Sequence, residues 1–266
     1  MKFSVPGVMW LVLLVSVWFC GDAQDGPVSP VEAPLALAGG VRQSPVGAAS
    51  GTVIFEDGFE SGDYRHWSGE AEEGMACWEG RGGGGAHIGD GCVRSDVVKS
   101  GSRAWKAVVD PNEDNLLGKE TMSKLERQRV TRGVYDFWVS AWYFFPSNYP
   151  AVWSNIMQIK KAEVRPNSPL AVVVHDRGRQ FKLWADGRGN VDASSVRVPY
   201  GRWFNLTTHF VTRRDGMVEV FLDGKSILKA SYDTIEDAPY MYFGVGNYLA
   251  SPKPSHVYID DVQVTR

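Results

Sequence analysis

Apolar and polar residues alternate in short segments along most of the chain, which is the pattern of half-buried β-strands. The longest segment, residues 134–145 (VYDFWVSAWYFF), stops at Pro146 and predicts a long buried strand. Nine shorter segments predict further strands: 52–55, 104–109, 153–160, 170–175, 181–185, 204–212, 217–222, 241–245 and 256–264. Only residues 119–129 (KETMSKLERQR) have helical propensity, and the apolar face of that helix would be thin.

Turn residues separate these segments at short intervals. Residues 213–216 (RRDG) predict a hairpin between two of the strands, and Asp223-Gly224 and Asp186-Gly187 predict turns after others. Strands at this spacing favour antiparallel pairing over βαβ units. The sequence therefore predicts an all-β fold, a two-sheet antiparallel β-sandwich of the jelly-roll type.

The first residues have the features of a secretory signal peptide. Lys2 precedes a 12-residue apolar run, residues 8–19, which is too short to span a bilayer. Small residues at 21–23 predict cleavage after residue 23, so the mature chain would begin at Gln24. Lipidation of Cys20 is the alternative, although the residues before it are bulky. No second apolar run is long enough for a membrane span, so we expect a secreted protein, extracellular or periplasmic.

The mature chain divides into an arm and a domain. Residues 24–51 are rich in Pro, Gly and Ala and predict a flexible arm. Residues 52–266 are enough for one β-sandwich domain. Two cysteines remain after the signal peptide, Cys77 and Cys92, and in an exported chain this pair predicts a disulfide. Two buried free thiols are the alternative.

The charge of the chain is unevenly distributed. Of its 266 residues, 28 are basic and 31 are acidic, which does not favour a nucleic-acid binder. Residues 119–214, however, contain 16 basic and 7 acidic residues, interleaved with aromatic residues. A basic, aromatic face suits an anionic polysaccharide, because Arg pairs with carboxylates and aromatic rings stack on sugars. Scattered charges on solvated strand faces are the alternative.

The two ends of the domain resemble those of concanavalin-type (LamG-like) jelly rolls. The matching segments are residues 55–63 (FEDGFESGD) and 258–264 (YIDDVQV). In several such proteins an opening carboxylate and a closing Asp share a calcium ion, so the resemblance implies a structural calcium site. The candidate ligands are Glu56, Asp57, Glu60 and Asp261. The alternative is that these residues make turns and that the chain ends pair as adjacent strands.

The middle of the chain resembles polysaccharide lyases of the heparin-lyase-like and glucuronan-lyase-like type. The matching segments are 138–146 (WVSAWYFFP), 153–160 (WSNIMQIK), 167–174 (NSPLAVVV), 201–209 (GRWFNLTTH), 216–224 (GMVEVFLDG) and 242–248 (YFGVGNY). The resemblance implies β-elimination on a uronic-acid polymer. That reaction needs a group that neutralises the carboxylate, a base for the C5 proton and an acid for the leaving oxygen.

The resemblance also implies catalytic residues. Gln158 would bind the carboxylate, and Tyr248 would serve as acid, or as both acid and base. Lys160 stands where the family often has His, and would hold the carboxylate as an ammonium group; His175 is the nearest remaining imidazole candidate. The residue after Tyr248 is Leu249, where the family often has Arg. Gln158 and Lys160 are two apart and should share one face of a strand.

The remaining expectations concern ligands and rival functions. The candidate substrate-binding residues are Arg127, Arg129, Arg177 and Lys182. We expect no organic cofactor and a monomer. A non-catalytic carbohydrate-binding, lectin-like module with the same fold is the main alternative, and an adhesive or structural sandwich is a third. A glycosidase is less favoured, because the strands of residues 134–183 contain few acids that could form a facing pair.

Overall fold

Strands form all the regular secondary structure in the part of the chain that the computed structural model describes. The described residues are 51–64, 66–67, 77–78, 87–88, 90–109, 114–115, 118–119, 122–127, 133–150, 153–161, 170–175, 179–185, 189–213, 215–232, 241–249 and 254–266. The strands are β1 (Val53–Asp57), β2 (Cys77–Trp78), β3 (His87–Ile88), β4 (Asp90–Arg94), β5 (Ala104–Val109), β6 (Asp114–Asn115), β7 (Gly118–Lys119), β8 (Met122–Arg127), β9 (Asp136–Phe144), β10 (Ser154–Lys161), β11 (Leu170–His175), β12 (Gln180–Ala185), β13 (Gly189–Arg197), β14 (Trp203–Val211), β15 (Gly216–Leu222), β16 (Lys225–Tyr232), β17 (Met241–Leu249) and β18 (Ser255–Thr265). The described residues include no helix that could cross a membrane.

The strands form two large antiparallel sheets. The nine-stranded sheet has the order β16-β15-β14-β9-β18-β5-β4-β2, with β1 paired to β18. The seven-stranded sheet has the order β13-β12-β11-β10-β17-β8-β3, and β6 and β7 form a small separate pair. Because β1 and β18 are neighbours, the two ends of the domain pair as adjacent strands. The two-sheet antiparallel sandwich predicted from the sequence is confirmed.

The core lies between the two large sheets. Alternate residues of β9 and β14, such as Tyr143 and Phe204, point into it from the nine-stranded sheet, and Ile159, Phe181 and Leu183 do so from the other. The rings of Phe181 and Phe204 meet edge to face across the sandwich, with centroids 6.0 Å apart. Burial of each such side chain stabilises the fold by about 1.5–3 kcal/mol. Because side chains alternate between the two faces of a strand, the intervening residues of the seven-stranded sheet lie on its outer face.

All ten predicted strands are present, and the turn at Asp223-Gly224 forms as predicted. The bounds of β5 and β11 match the predicted segments, and β9 lies inside residues 134–145. Asp223 and Gly224, between β15 and β16, have φ of 48° and 79°. Positive φ at both central residues is what a type I′ hairpin turn requires.

One sequence-based assignment is wrong, and several strands were not predicted. The helix predicted at residues 119–129 is wrong, because Met122–Arg127 form strand β8 between β17 and β3. Strand pairing there outweighs the intrinsic propensity of the residues. The strands that were not predicted are β2, β3, β4, β6, β7, β13 and β16. Of these, β13 and β16 lie at the edges of the two large sheets, where strands bury fewer side chains and have a weak apolar pattern.

Candidate functional site

The centre of the seven-stranded sheet contains a β-bulge. Strand β10 pairs with β11 on one side and β17 on the other, and both registers shift between Asn155 and Met157. An extra residue in a strand reverses the alternation of faces beyond it. Asn155 and Gln158, which are three residues apart, therefore share the outer face of the sheet, while Ile159 faces the core.

Tyr143 of the nine-stranded sheet supports this bulge from inside the core. Its hydroxyl donates a hydrogen bond of 2.9 Å to the carbonyl of Ile156, the residue inside the register shift. Burial raises the pKa of Tyr143 far above its ordinary value, so the phenol stays protonated and remains a donor. The hydroxyl of Thr208 donates to the sulfur of Met157 at 3.3 Å. Two contacts from the opposite sheet thus hold the irregular segment.

The register arranges the outer face in rows across the strands. One row contains Tyr248, Asn155, Val173 and Lys182, and the next contains Gly244, Gln158, Ala171 and Trp184. Lys160 lies opposite Tyr242, two residues along the strand from Gln158. Neighbouring strands are about 4.8 Å apart. The fold therefore brings Gln158, Lys160, Tyr248 and Lys182 to one face, and Gln158 has the smallest side chains as its cross-strand neighbours.

The other sequence-predicted residues fall in different places. His175 lies opposite Gln180 at the end of β11 and has the parity of Val173, which puts it on the same outer face. Arg127 pairs with Phe243 in the row of Ile159, on the core-facing side, so the register does not bring it to Gln158. Arg129 and Arg177 lie outside the described residues. The roles assigned to all of these residues stay predictions.

Asn155 is a polar residue of this face that the sequence did not single out. Its side chain is only 4% exposed and that of Gln158 only 2%. The Nδ2 group of Asn155 donates a hydrogen bond of 2.9 Å to Oε1 of Gln158. The carbonyl oxygen Oδ1 of Asn155 is buried and has no hydrogen-bond partner. A regular strand would put residues 155 and 158 on opposite faces, so only the bulge, which the sequence does not reveal, makes them neighbours.

Two tryptophans extend the outer face. Trp184 lies in the row of Gln158, two strands away, and its ring meets that of Trp153 edge to face with centroids 6.5 Å apart. Both rings are half-buried. Exposed edges and faces of indole rings are suited to packing against sugar rings. The sequence did not predict a role for either ring, because strand parity alone does not show which rings face outward.

Asp57, one of the candidate calcium ligands, is engaged in hydrogen bonds. The two carboxylate oxygens of Asp57 accept hydrogen bonds from the backbone N–H of Phe59 and from Nε1 of Trp67, both at 2.8 Å. Burial raises the pKa of Asp57, and the Phe59 bond and the charge of His66 oppose this shift. Asp57 thus fixes the opening segment to the core.

Glu60 and Asp261 make similar local contacts. Glu60 accepts hydrogen bonds from the backbone N–H groups of Ser102 and Arg103, and Asp261 accepts one from the hydroxyl of Ser100. Among the described residues, no three His, Cys, Asp or Glu side chains are grouped so that they could hold a metal ion. The calcium site and its four candidate ligands stay a prediction.

Cys77 and Cys92 are direct register partners on β2 and β4. Opposite residues of an antiparallel pair have Cα atoms about 4.5–5.5 Å apart, within the range that a disulfide spans.

The signal peptide and the flexible arm, residues 1–23 and 24–51, lie almost entirely outside the described residues. These assignments remain predictions.

The comparisons with solved structures agree with this fold. The chain superimposes on cellulose-induced protein Cip1 with a TM-score of 0.56 at 15% identity, covering 79% of this chain and 96% of that one. It superimposes on the endo-β-1,4-glucuronan lyase of the fungus Trichoderma reesei with a TM-score of 0.53 at 15% identity, covering 80% and 95%. At these identities the likeness shows the fold alone. The curated proteins contain no match to the chain.

A protein-family model also matches the chain. The model of the family described as "Polysaccharide lyase" matches residues 59–263, which is well over half of the chain. The matched region includes β10, β17 and the whole outer face that carries Gln158, Lys160 and Tyr248. The protein therefore belongs to the polysaccharide lyase family, with a jelly-roll fold.

Proposed function

We propose that this protein is an exported lyase that cleaves a uronic-acid-containing polysaccharide by β-elimination on the outer face of the seven-stranded sheet. The observation that supports this most is the register of β10 and β17. It puts Gln158, Lys160 and Tyr248, the residues that the lyase resemblance implies, on a single face beside Asn155. Export follows from the predicted signal peptide, and a disulfide between Cys77 and Cys92 would suit an oxidising compartment.

In this reaction the proton at C5 of the uronate is removed before the C4–O bond breaks, or at the same time. The base takes this proton, the electron pair of the C–H bond forms the C4–C5 double bond, and the C4–O bond breaks. The acid then gives a proton to the departing oxygen. The negative charge that grows on the carboxylate must be stabilised, because electrostatic stabilisation is commonly the largest catalytic contribution.

The residues of the outer face can supply these functions. The N–H groups of Gln158 and the ammonium of Lys160 would hold the carboxylate. Tyr248 would exchange the protons, as the acid or as both acid and base. Trp184 would carry a neighbouring sugar ring. In this assignment no step requires a metal ion or an organic cofactor.

A non-catalytic carbohydrate-binding module is the second candidate. The observation that favours it is Lys160, which stands where related lyases often have an imidazole, since an ordinary lysine is protonated and is a poor base. Both candidate functions use the same face of the sheet. They differ in whether the bound polysaccharide is cleaved, and not in where it binds.

The test measures the ultraviolet absorbance of the unsaturated uronate that β-elimination creates. The mature protein is incubated with glucuronan, alginate, heparin, heparan sulfate and pectate in turn. We expect absorbance to rise with at least one polymer and the rise to fall by at least about 100-fold in Tyr248→Phe, the scale expected for loss of a general acid–base group.

Tyr135→Phe is the matched control, because Tyr135 is 53% exposed and precedes β9 of the opposite sheet. It should retain full activity. Binding to one of the polymers without any rise in absorbance would favour the carbohydrate-binding module instead.

A further inference from the structure

The hydrogen bond between Asn155 and Gln158 has a direction. Asn155 donates through Nδ2, and Gln158 accepts through Oε1 at 2.9 Å. A primary amide has a donor end and an acceptor end. Because its acceptor end is turned toward Asn155, the Nε2 end of Gln158, with its two N–H donors, is turned away.

We propose that Asn155 is a positioning residue that sets the amide of Gln158 with its N–H donors toward the carboxylate of the bound uronate. This inference rests on the proposed function and deepens it. With the amide reversed, Oε1 of Gln158 would face the carboxylate, and two oxygens that only accept would repel each other. The orientation of one amide thus decides between recognition and rejection of a charged sugar.

The burial of Asn155 and Gln158 stabilises this orientation of the Gln158 amide. Both side chains are almost completely buried, and in such surroundings a hydrogen bond is stronger than in water. The bulge holds Asn155 on the face of Gln158, and the register puts Tyr248 directly opposite Asn155. Asn155 therefore lies between the residue that would bind the carboxylate and the residue that would transfer the proton.

The test replaces Asn155 by a residue that can only accept. In Asn155→Asp the ionised carboxylate takes a hydrogen bond from Nε2 of Gln158, which turns Oε1 outward. Binding of an oligoglucuronate and of its methyl ester is measured by calorimetry for wild type and variant. We expect the free acid to bind about 10- to 100-fold more weakly in the variant, the range for a lost charge-assisted hydrogen bond. The neutral ester should bind almost unchanged.

A second pair of proteins separates this effect from direct repulsion by the new charge. Asn155→Asp is also made in the Gln158→Ala background. If Asn155 acts through Gln158, the added loss for the free acid largely disappears there, so the two substitutions are strongly non-additive. A loss of the same size in both backgrounds would overturn the inference. So would an unchanged preference for the free acid over the ester in Asn155→Asp.

Asn155→Ala is a further variant, which keeps the inference testable if Asn155→Asp does not fold. It adds no charge and removes the donor that turns Oε1 of Gln158 inward, so the preference for the free acid should fall to an intermediate value. An unaltered preference in this variant would equally contradict a positioning role. A wild-type protein that neither binds oligoglucuronate nor cleaves any uronate polymer would instead contradict the proposed function itself.

Discussion

Asp260 is a residue whose ionisation is strongly affected by the fold. It is fully buried on β18, and burial together with the charge of Asp261 raises its pKa from 3.8 to about 8. Three backbone N–H groups, those of Lys99, Ser100 and Asp261, donate to its carboxylate and oppose this shift. The hydrogen bonds from Lys99 and Ser100 connect β18 to the β4–β5 loop.

This pKa predicts a pH dependence of stability. Between about pH 4 and pH 8 the native Asp260 binds a proton that the unfolded chain has lost. The stabilisation is present at low pH and is lost as pH rises through the folded pKa, so the free energy of unfolding should decrease across this range. Denaturant unfolding at a series of pH values measures it.

Asp261→Asn is the informative variant. Asp261 has φ of 45°, a conformation that Asn tolerates, and an amide oxygen can still accept from Ser100. Removal of the neighbouring charge should lower the pKa of Asp260, so the decrease should end at a lower pH. Asp215→Asn is the control, since the side chain of Asp215 is 83% exposed. If Asp261→Asn leaves the pH profile unchanged, the coupling between the two carboxyl groups is absent.

At the scale of single residues, the sequence predicted part of the candidate site. Strand parity alone placed Gln158 and Lys160 on one face, because the segment that contains both is regular. Asn155 was not predictable, since its face depends on a bulge held by Tyr143, a residue from a different sheet. Contacts that depend on tertiary packing have no local signal in the chain.

At the scale of the element, the bulge in β10 is the feature on which the site depends. Tyr143→Phe removes the donor to the Ile156 carbonyl and leaves that buried oxygen unpaired. We expect a loss of about 1–3 kcal/mol in the free energy of unfolding. If the bulge relaxes, activity falls as well, because Asn155 and Gln158 no longer share a face.

The control for this variant is Tyr135→Phe, which removes an exposed hydroxyl and should change neither stability nor activity. A Tyr143→Phe protein with wild-type stability would show that the hydroxyl is not needed to hold the bulge.

Trp184 gives the second prediction at this scale. It lies on β12, about two strand spacings from Gln158, where it would contact a sugar beyond the one that Gln158 holds. Trp184→Ala should raise KM for the polymer by roughly 5- to 10-fold, the loss expected from about 1 kcal/mol of ring contact, with kcat little changed. Steady-state kinetics decide this, and an equal fall in kcat with KM unchanged would contradict a pure binding role.

The sequence succeeded with elements that have a strong apolar pattern. Strands β5 and β9 carry runs of buried side chains, and β11 has an apolar sequence, so all three were predicted. Edge strands β13 and β16 were missed because half-solvated strands need fewer apolar residues. Residues 119–129 contain good helix formers, but pairing of β8 with β17 determines their conformation.

At the scale of the whole molecule, the sandwich separates stability from function. The nine-stranded sheet joins both ends of the domain through the pairing of β1 with β18, and its residues supply much of the core. The seven-stranded sheet uses its outer face for the candidate site, supported from behind by Tyr143 and Thr208. Loss of catalysis is therefore possible on one face without loss of the fold.

The central claim is cleavage by β-elimination, and the mass of the products tests it most directly. The mature protein is incubated with the uronate polymer that it binds best, and the oligosaccharides released are weighed by mass spectrometry. The account predicts that every fragment with a newly formed non-reducing end is one water lighter than its hydrolysis counterpart, because an unsaturated uronate stands at that end. New non-reducing ends of full hydrolytic mass, or an intact polymer, would contradict it.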